Sequence, residues 1–372
     1  MRFSDVAGHD SAKLRLTQMV QQGRLPHALL ISGPIGSGEM MLARALVQYI
    51  HCTGRHPNQT DSCGTCPSCR QHQAFNHVDL HFVFPILKKG SSTTLSEDYL
   101  PEWREFITNN PWMDFSKWPA ILGKNNGQPT IYVDDADELQ RKMSLTARAS
   151  NLNVAIIWLP ERLQPAAANK LLKLLEEPEQ GSLFILVSNS PAEILPTIYS
   201  RCQRLELRRL SDQTVASIIG QGLNEADVMA IAHLAEGNVI AAQDALGANN
   251  NNNDFDLFTD LMRKAYARKV GELKIWSETV NELGRDGICR FLEYAQRMVR
   301  ENFIRNLQVN ELNYLNAKEE QFSARFCPFI NERNVEEIIS ELNAAIIDIR
   351  GNGSGKIVLF DMAIKIIILL RA

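Results

Sequence analysis

Residues 27–50 read HALLISGPIGSGEMMLARALVQYI, and this stretch decides the fold. A short apolar run at 27–32 leads into the glycine-rich segment 33–38, and apolar residues then recur at helical spacing up to Ile50. A strand, a glycine-rich turn and a helix in this order are typical of loops that bind phosphate, because backbone amides at a helix N-terminus attract anions. We therefore expect a phosphate-loop-like turn at the carboxyl end of a buried strand.

The loop lacks the two side chains on which nucleotide binding depends. In the full motif, G-x-x-x-x-G-K-[ST], the lysine contacts the β- and γ-phosphates and the hydroxyl binds magnesium. Here Gly33, Gly36 and Gly38 are in place, but Glu39 occupies the lysine position and Met40 the hydroxyl position. A unit charge about 4 Å away is worth about 4 kcal/mol at an effective dielectric of about 20, so Glu39 turns an attraction of that size into a repulsion. The sequence predicts a degenerate nucleotide site that does not bind ATP.

Further apolar runs in the first half of the chain predict more strands. They lie at 130–133 (TIYV), 154–159 (VAIIWL) and 183–187 (LFILV). Continuous apolar strands separated by helices are typical of a parallel sheet covered on both faces, whose sites lie at the carboxyl ends of the strands. The sequence thus predicts an α/β fold.

An acidic pair, Asp134 and Asp135, follows the run at 130–133. In a working NTPase, carboxylates at such a strand end hold magnesium and polarise the attacking water. With Glu39 and Met40 in the opposing loop no complete metal site remains, so we interpret the pair as retained architecture of the degenerate site. A solvated acidic strand end is the alternative interpretation.

Four of the seven cysteines are clustered. Cys52 is followed, after ten intervening residues, by Cys63-Gly-Thr-Cys66-Pro-Ser-Cys69. Four thiolates suit a tetrahedral structural zinc ion with no open position. A redox role for a C-x-x-C pair is the alternative, but the strand context of a redox motif is missing. The neighbouring histidines, His51 among them, are expected to be solvated loop residues.

The N-terminal sequence, the net charge and the apolar tail indicate in which compartment the protein resides and what it contacts. The N-terminus MRFSDVAGHD has no apolar signal-peptide region, which with the cysteine pattern predicts a cytoplasmic protein. The net charge of -4 gives no global field for nucleic acid. The apolar tail 356–370 is too short to span a membrane and carries Asp361 and Lys365 as an i,i+4 pair, so we expect a buried helix and no membrane contact.

The domain pattern changes after about residue 210, where strand signals stop. We expect a sheet domain at 1–209, with the knuckle at 52–69 and an aromatic-rich insertion at about 80–128. A small helical domain at 210–248, an asparagine-rich linker at 249–254 and a helical domain at 255–372 follow.

Two motifs carry a resemblance to a known family. The segment 166–178, AAANKLLKLLEEP, closely resembles the N-x-L-L-K-x-L-E-E-P signature of clamp-loader AAA+ subunits, and YSRC at 199–202 resembles their S-R-C motif. Between them, Ser188 and Asn189 stand where the family places its sensor 1 residue. The cysteine knuckle is similar to that of bacterial DNA polymerase III clamp-loader subunits, although the spacing from Cys52 to Cys63 is longer than in relatives. By motif the resemblance covers about residues 3–246.

The resemblance implies an AAA+ domain, a helical lid and a helical oligomerisation collar. It implies that Arg201 is an arginine finger acting in the ATP site of a neighbouring subunit, and that zinc is structural. The sensor 2 arginine is missing at 237–240, which agrees with a subunit without its own ATPase inside the DNA-directed DNA polymerase III holoenzyme. The implied partners are the ATPase subunits gamma/tau and the delta subunit in a hetero-pentamer, with the sliding clamp and primed DNA contacted through the complex.

Two other functions stay open at this point. One is a gamma-like clamp-loader ATPase with a divergent phosphate loop. The other is a zinc-dependent DNA-binding module, although Arg55 and Arg70 are among few basic residues near the knuckle.

Overall fold

The computed structural model describes residues 1–56, 58–88, 94–123, 128–220, 225–250, 253–308, 315, 317–351 and 353–370. The chain forms two compact units. The first comprises Met1–Gln221 with Ala235–Ala242, and the second comprises Gly222–Leu234 with Gln243–Ala372. The four-part division expected from the sequence stays a prediction.

The first unit is built on a parallel five-stranded sheet in the order β2-β3-β4-β1-β5. The strands are β1 (Ala28–Ser32), β2 (Leu80–Val83), β3 (Asn153–Trp158), β4 (Ser182–Ser188) and β5 (Gln203–Glu206). Central strands β1, β3 and β4 are buried along their whole length, as expected when helices cover both faces of a sheet. The predicted α/β class is confirmed.

Helices surround the sheet and then form the rest of the chain. They are α1 (Asp10–Gln21), α2 (Glu39–His51), α3 (Pro67–Gln73), α4 (Leu100–Asn109), α5 (Trp118–Ile121), α6 (Val133–Met143), α7 (Pro165–Glu176), α8 (Pro196–Tyr199), α9 (Asp212–Ile219), α10 (Glu225–Leu234), α11 (Val239–Asn250), α12 (Asn253–Tyr266), α13 (Val270–Asn281), α14 (Gly284–Asn306), α15 (Ala317–Phe326), α16 (Val335–Arg350) and α17 (Gly355–Leu369). Past Glu206, the described residues contain no strand, as predicted.

Three of the four predicted strands are confirmed as β1, β3 and β4, within one residue at each end. The strand predicted at 130–133 is wrong. Thr130 and Ile131 form single bridges to Ile86 and Leu163, and Val133 already belongs to α6. A four-residue apolar run cannot by itself distinguish a strand from the start of a buried helix.

Aromatic side chains order much of the segment expected as an insertion. Trp103 and Trp118 are fully buried, and Trp103 stacks on Phe84 with ring centroids 4.2 Å apart. The Trp118 indole N–H donates to the Pro85 carbonyl oxygen at 2.7 Å. The aromatic side chains therefore pack into the first unit, and the first residues of this segment form β2, an edge strand of the sheet. Residues 89–93 and 124–127 lie outside the described residues.

The second unit has a helical core of its own. Its largest fully buried side chains include Trp276, Phe258 and Phe291. The predicted tail helix is confirmed as α17, with an ion pair of 3.0 Å between Asp361 and Lys365. Of the expected linker, Asn249 and Asn250 complete α11 instead, and residues 251–252 lie outside the described part of the chain. Within the described residues, every helix is too short or too polar to cross a membrane.

Candidate functional site

The glycine-rich segment forms the predicted turn between a strand and a helix. β1 ends at Ser32 and α2 begins at Glu39. Gly36 and Gly38 adopt φ angles of 78° and 95°, a left-handed region that disfavours side chains. The backbone therefore keeps the shape of a phosphate loop, although its side chains do not match one.

Glu39 is a buried carboxyl group inside this turn. Its side chain accepts hydrogen bonds from Ser37 Oγ at 2.9 Å and from Asn189 Nδ2 at 2.8 Å. Burial raises the pKa of Glu39 to about 7, against the opposing effect of its hydrogen bonds. At neutral pH the carboxyl group is thus partly protonated, which weakens the repulsion expected from the sequence. The loop still contributes no cation to neutralise a triphosphate.

The side chain of Asn189, which the resemblance places at the sensor 1 position, forms hydrogen bonds with the glycine-rich turn. Its amide nitrogen also lies 3.3 Å from the Gly33 carbonyl oxygen. Met40, the residue at the hydroxyl position, is 2% exposed and packs in the core. A thioether is a poor ligand for magnesium, which prefers oxygen.

Residues from three other segments cover the loop. A Cβ atom placed on Gly38 would lie 3.1 Å from Trp112 Cζ3, and one placed on Gly36 would lie 2.2 Å from Asn238 Oδ1. His9 Nε2 lies 2.7 Å from the Ser37 carbonyl oxygen. These contacts pack the turn against the rest of the first unit. No local sequence pattern predicts these contacts, because the three segments are far apart in the chain.

The acidic pair lies in the first turn of α6. Asp135 is 4% exposed and accepts hydrogen bonds from the backbone N–H and the hydroxyl of Ser96, both at 2.7 Å. It also accepts the Tyr132 N–H at 3.4 Å, so its carboxylate caps α6 and holds the segment around Ser96. Asp134 is half-buried beside it. Because no sheet strand precedes the pair, the premise that it stands at a strand end is wrong.

A different carboxyl group follows β3. Glu161 Oε2 accepts a hydrogen bond from Ser188 Oγ at 2.8 Å, and burial raises the pKa of Glu161. Sequence reasoning missed this residue, although its place three residues beyond a central strand was a usable signal. The residues directly at the end of β3, Trp158, Leu159 and Pro160, provide no carboxylate.

The four cysteines converge at one point, as a metal site requires. One sulfur from each of Cys52, Cys63, Cys66 and Cys69 lies within 4.8 Å of the others. Cys63 Sγ and Cys69 Sγ are 3.9 Å apart, close to the separation of about 3.8 Å that zinc–sulfur bonds of about 2.3 Å give at tetrahedral angles. A Cβ on Gly54 would lie only 2.9 Å from Cys63 Sγ, so the turn is shaped around the sulfurs.

Backbone amides favour thiolates in this cluster. The N–H groups of Cys63, Cys66 and Cys69 donate to the sulfurs of Cys52, Cys63 and Cys66 at 3.3, 3.3 and 3.4 Å. Burial raises the pKa of Cys66, but hydrogen bonds from Thr53 and from backbone amides outweigh it and lower that pKa to about 5. The donor set, the spacing and the thiolate-stabilising amides all fit zinc.

Arg201 lies at the end of the short helix α8 on the surface of the first unit. Its side chain is 36% exposed, donates to the Thr197 carbonyl oxygen at 2.9 Å and forms an ion pair with Glu176. Glu176 is the first glutamate of the L-L-E-E-P segment, so the structure joins the two motifs that carry the resemblance. Cys202 beside it is 8% exposed and packs in the core.

Comparisons with known proteins agree with the motifs. The chain is 32% identical over 189 residues to DNA polymerase III subunit delta' of Haemophilus influenzae, and 30% identical over 189 residues to that of Escherichia coli; each alignment covers 51% of this chain. It is also 29% identical over 214 residues, 58% of the chain, to DNA polymerase III subunit tau of Bacillus subtilis. The alignments span 45%, 44% and 30% of these relatives, less than half of their length.

One solved structure aligns along most of this chain. A DNA polymerase III gamma subunit-related protein from Thermotoga maritima aligns over 97% of this chain and 100% of its own, with 13% identity and a TM-score of 0.46. The family model described as DNA polymerase III, delta subunit, matches residues 8–211, which is more than half of the 372 residues. The chain therefore belongs to the DNA polymerase III delta-subunit family, and its similarity is to the delta-prime type.

Proposed function

We propose that this chain is a non-hydrolysing subunit of a replicative clamp loader. It supplies Arg201 to the ATP site of a neighbouring subunit and thereby supports ATP-dependent loading of a sliding clamp on primed DNA. The neighbours are ATPase subunits of the gamma/tau type, with a delta subunit in the same hetero-pentamer. The proposal is supported by relatives whose names are those of DNA polymerase III subunits.

The proposal rests on the side-chain contacts of the glycine-rich segment 33–38. Glu39 is held inside the turn by Ser37 and Asn189, and Trp112 and Asn238 lie against the two glycines whose amides would face a phosphate. A triphosphate entering here would meet a carboxyl group and would find no ammonium group. The loop therefore serves as a packed structural turn.

The exposure of Arg201 supports a role in trans. Its guanidinium is partly exposed, and its carboxylate partner Glu176 is a surface residue. Exposed ion pairs contribute at most about 1 kcal/mol, so the contact with Glu176 is easily exchanged for a phosphate group on a neighbour. A guanidinium there stabilises the charge that develops on the transferred phosphoryl group.

The second unit offers surface for assembly. On α17, Ile357 and Ile368 are 70% and 68% exposed, and Ile347 on α16 is 68% exposed. Positions eleven residues apart share one helix face, since eleven residues make slightly more than three full turns. Exposed isoleucines on neighbouring helices are consistent with a collar in which helices of several subunits pack together.

The test is the ATPase rate of the assembled complex. Arg201→Ala should leave assembly intact and reduce ATP turnover at the adjacent site by at least an order of magnitude, because such arginines are worth about 10³–10⁵ in rate in other NTPases. Arg201→Lys should not restore the rate, since an ammonium lacks the planar fork of donors. Arg204→Ala is the matched control, as Arg204 is another exposed guanidinium of the same surface. Unchanged turnover with Arg201→Ala would refute the role.

One second candidate has a specific observation in its favour. The matches to subunits named tau and gamma/tau favour a gamma-type ATPase with a divergent loop. Such an enzyme would hydrolyse ATP as an isolated chain, and Arg201→Ala would leave that activity unchanged because the arginine acts on a neighbour. ATP hydrolysis by the purified chain, lost on Gly36→Val, would support this candidate over the proposal.

A further inference from the structure

We propose that His51, His72 and His77 form a second metal site, separate from the four cysteines, for a divalent ion of the zinc class. His51 is the last residue of α2, His72 lies in α3, and His77 lies in the segment leading to β2. Such an ion would fasten α3 and the start of β2 to the end of α2. The sequence-based expectation that His51 is a solvated loop residue is wrong, since it is 2% exposed.

The three rings lie close enough to share an ion. They are 2%, 6% and 4% exposed, and one ring nitrogen from each lies within 4.8 Å of the others. His51 Nδ1 and His72 Nε2 are 3.0 Å apart. Zinc–nitrogen bonds of about 2.0–2.1 Å at tetrahedral angles separate two nitrogens by about 3.3 Å. The closest pair must move apart by about 0.3 Å and the widest pair closer by about 1.5 Å at most, and the near-parallel rings must turn so that one ion lies in the plane of each.

His77 provides an independent sign of a missing ligand. Its Nδ1 accepts the Asp79 backbone N–H at 3.2 Å, while its Nε2 is buried without a hydrogen-bond partner among the described residues. Buried polar atoms in native proteins are nearly always paired, so each exception calls for an explanation. A bound ion supplies one here.

His51 is already oriented as a metal ligand would be. Its Nε2 lies 2.9 Å from the Leu152 carbonyl oxygen, which can only accept, so this nitrogen carries the ring proton. The lone pair of Nδ1 therefore faces His72, while the His77 ring lies against the face of the His51 ring. A backbone carbonyl that holds the outer N–H of a histidine is the common outer contact of metal-bound imidazoles.

Binding of a metal ion moves ring protons between the nitrogens of the histidines but releases none. In the metal-free arrangement the His72 Nε2–H donates to His51 Nδ1. When the ion binds, His72 and His77 carry their single ring proton on Nδ1, and His77 gives up the Asp79 hydrogen bond. Each imidazole stays neutral, the form that binds metals, and three neutral imidazoles select zinc, cobalt, nickel or copper over magnesium or calcium.

The competing arrangement is a metal-free stack of rings. The ring centroids of His72 and His77 are 4.3 Å apart with planes 15° from parallel, and those of His51 and His77 are 4.5 Å apart at 20°. Stacking alone leaves His77 Nε2 unpaired in the interior. The two arrangements predict different metal contents, which can be measured directly.

The test is the metal content of the full chain after purification with zinc present, measured by mass spectrometry. We expect two zinc ions per chain in the unaltered protein and one in the His72→Phe/His77→Phe variant, whose rings keep the stack. His56→Phe, which alters an exposed histidine near the same loop, should retain two. Cys63→Ser/Cys66→Ser should retain one ion, which separates this site from the cysteine site.

Cobalt titration of the unaltered chain keeps the test independent of how the variants fold. After the metal-free protein has filled its cysteine site, a second equivalent should add d–d absorption without further thiolate-to-cobalt charge transfer. One zinc ion per unaltered chain, or no second cobalt signal of this kind, would overturn the proposal.

Discussion

Replacing Glu39 by Gln should change the pH dependence of stability of the first unit in a defined direction. Burial raises the pKa of this carboxyl group from 4.5 to about 7. Between these two pH values the folded chain binds a proton that the unfolded chain has released. Stability therefore falls as pH rises through this window, in the opposite sense to a carboxylate held in an ion pair.

The magnitude follows from the size of the shift. A difference of about 2.5 pKa units corresponds to about 3 kcal/mol of unfolding free energy, fully present below pH 4.5 and lost above pH 7. Glutamine has the shape of the protonated acid and can still accept from Ser37 and Asn189. Relative to the unaltered chain, Glu39→Gln should thus gain about 3 kcal/mol between pH 4.5 and pH 8.

Urea unfolding followed by tryptophan fluorescence measures this difference. Four of the five tryptophans, Trp103, Trp112, Trp118 and Trp158, lie in the first unit, so the signal reports mainly its unfolding. Comparing the two proteins at each pH cancels the titration of all other groups. A difference in unfolding free energy that stays constant from pH 4.5 to pH 8 would refute the buried, proton-binding state of Glu39.

Three further predictions concern other parts of the chain. Trp103→Ala should destabilise the first unit by about 3–5 kcal/mol because it empties a fully buried aromatic site, and a loss below about 1 kcal/mol in urea unfolding would contradict this packing. Arg297→Met should destabilise the second unit by about 3–5 kcal/mol because Glu319, which is 1% exposed, loses the Arg297 guanidinium; hydrogen exchange of the backbone amides of α14 and α15 measures the loss, and unchanged exchange would count against the pair. Cys66→Ser should lose one zinc ion and expose the knuckle to limited proteolysis, whereas retained zinc and protease resistance would speak against the cysteine site.

The central strands could be predicted because fully buried strands have continuous apolar sequences. β1, β3 and β4 are flanked by neighbours on both sides of the sheet, and their sequences show this directly. The edge strands β2 and β5 were missed, since QRLE of β5 mixes exposed and buried positions and β2 is only partly buried. Edge strands pack on one side only, and their pattern is correspondingly weak.

The candidate site could be predicted only where its functional residues lie close together in the sequence. The missing lysine at Glu39 and the cysteine cluster are visible as local strings. The cover of the loop by Trp112 and Asn238, and the gathering of His51 with His77, join residues that are far apart in sequence. Their proximity depends on how β2 and the helices pack, which local patterns do not encode.

The most direct test of the central claim is calorimetric titration of the isolated full chain with MgATP. The packed loop around Glu39 predicts no saturable heat at nucleotide concentrations up to about 1 mM, a limit that corresponds to a binding free energy weaker than about −4 kcal/mol. Saturable binding with a Kd in the micromolar range that disappears when magnesium is omitted would contradict a subunit that leaves ATP to its neighbours.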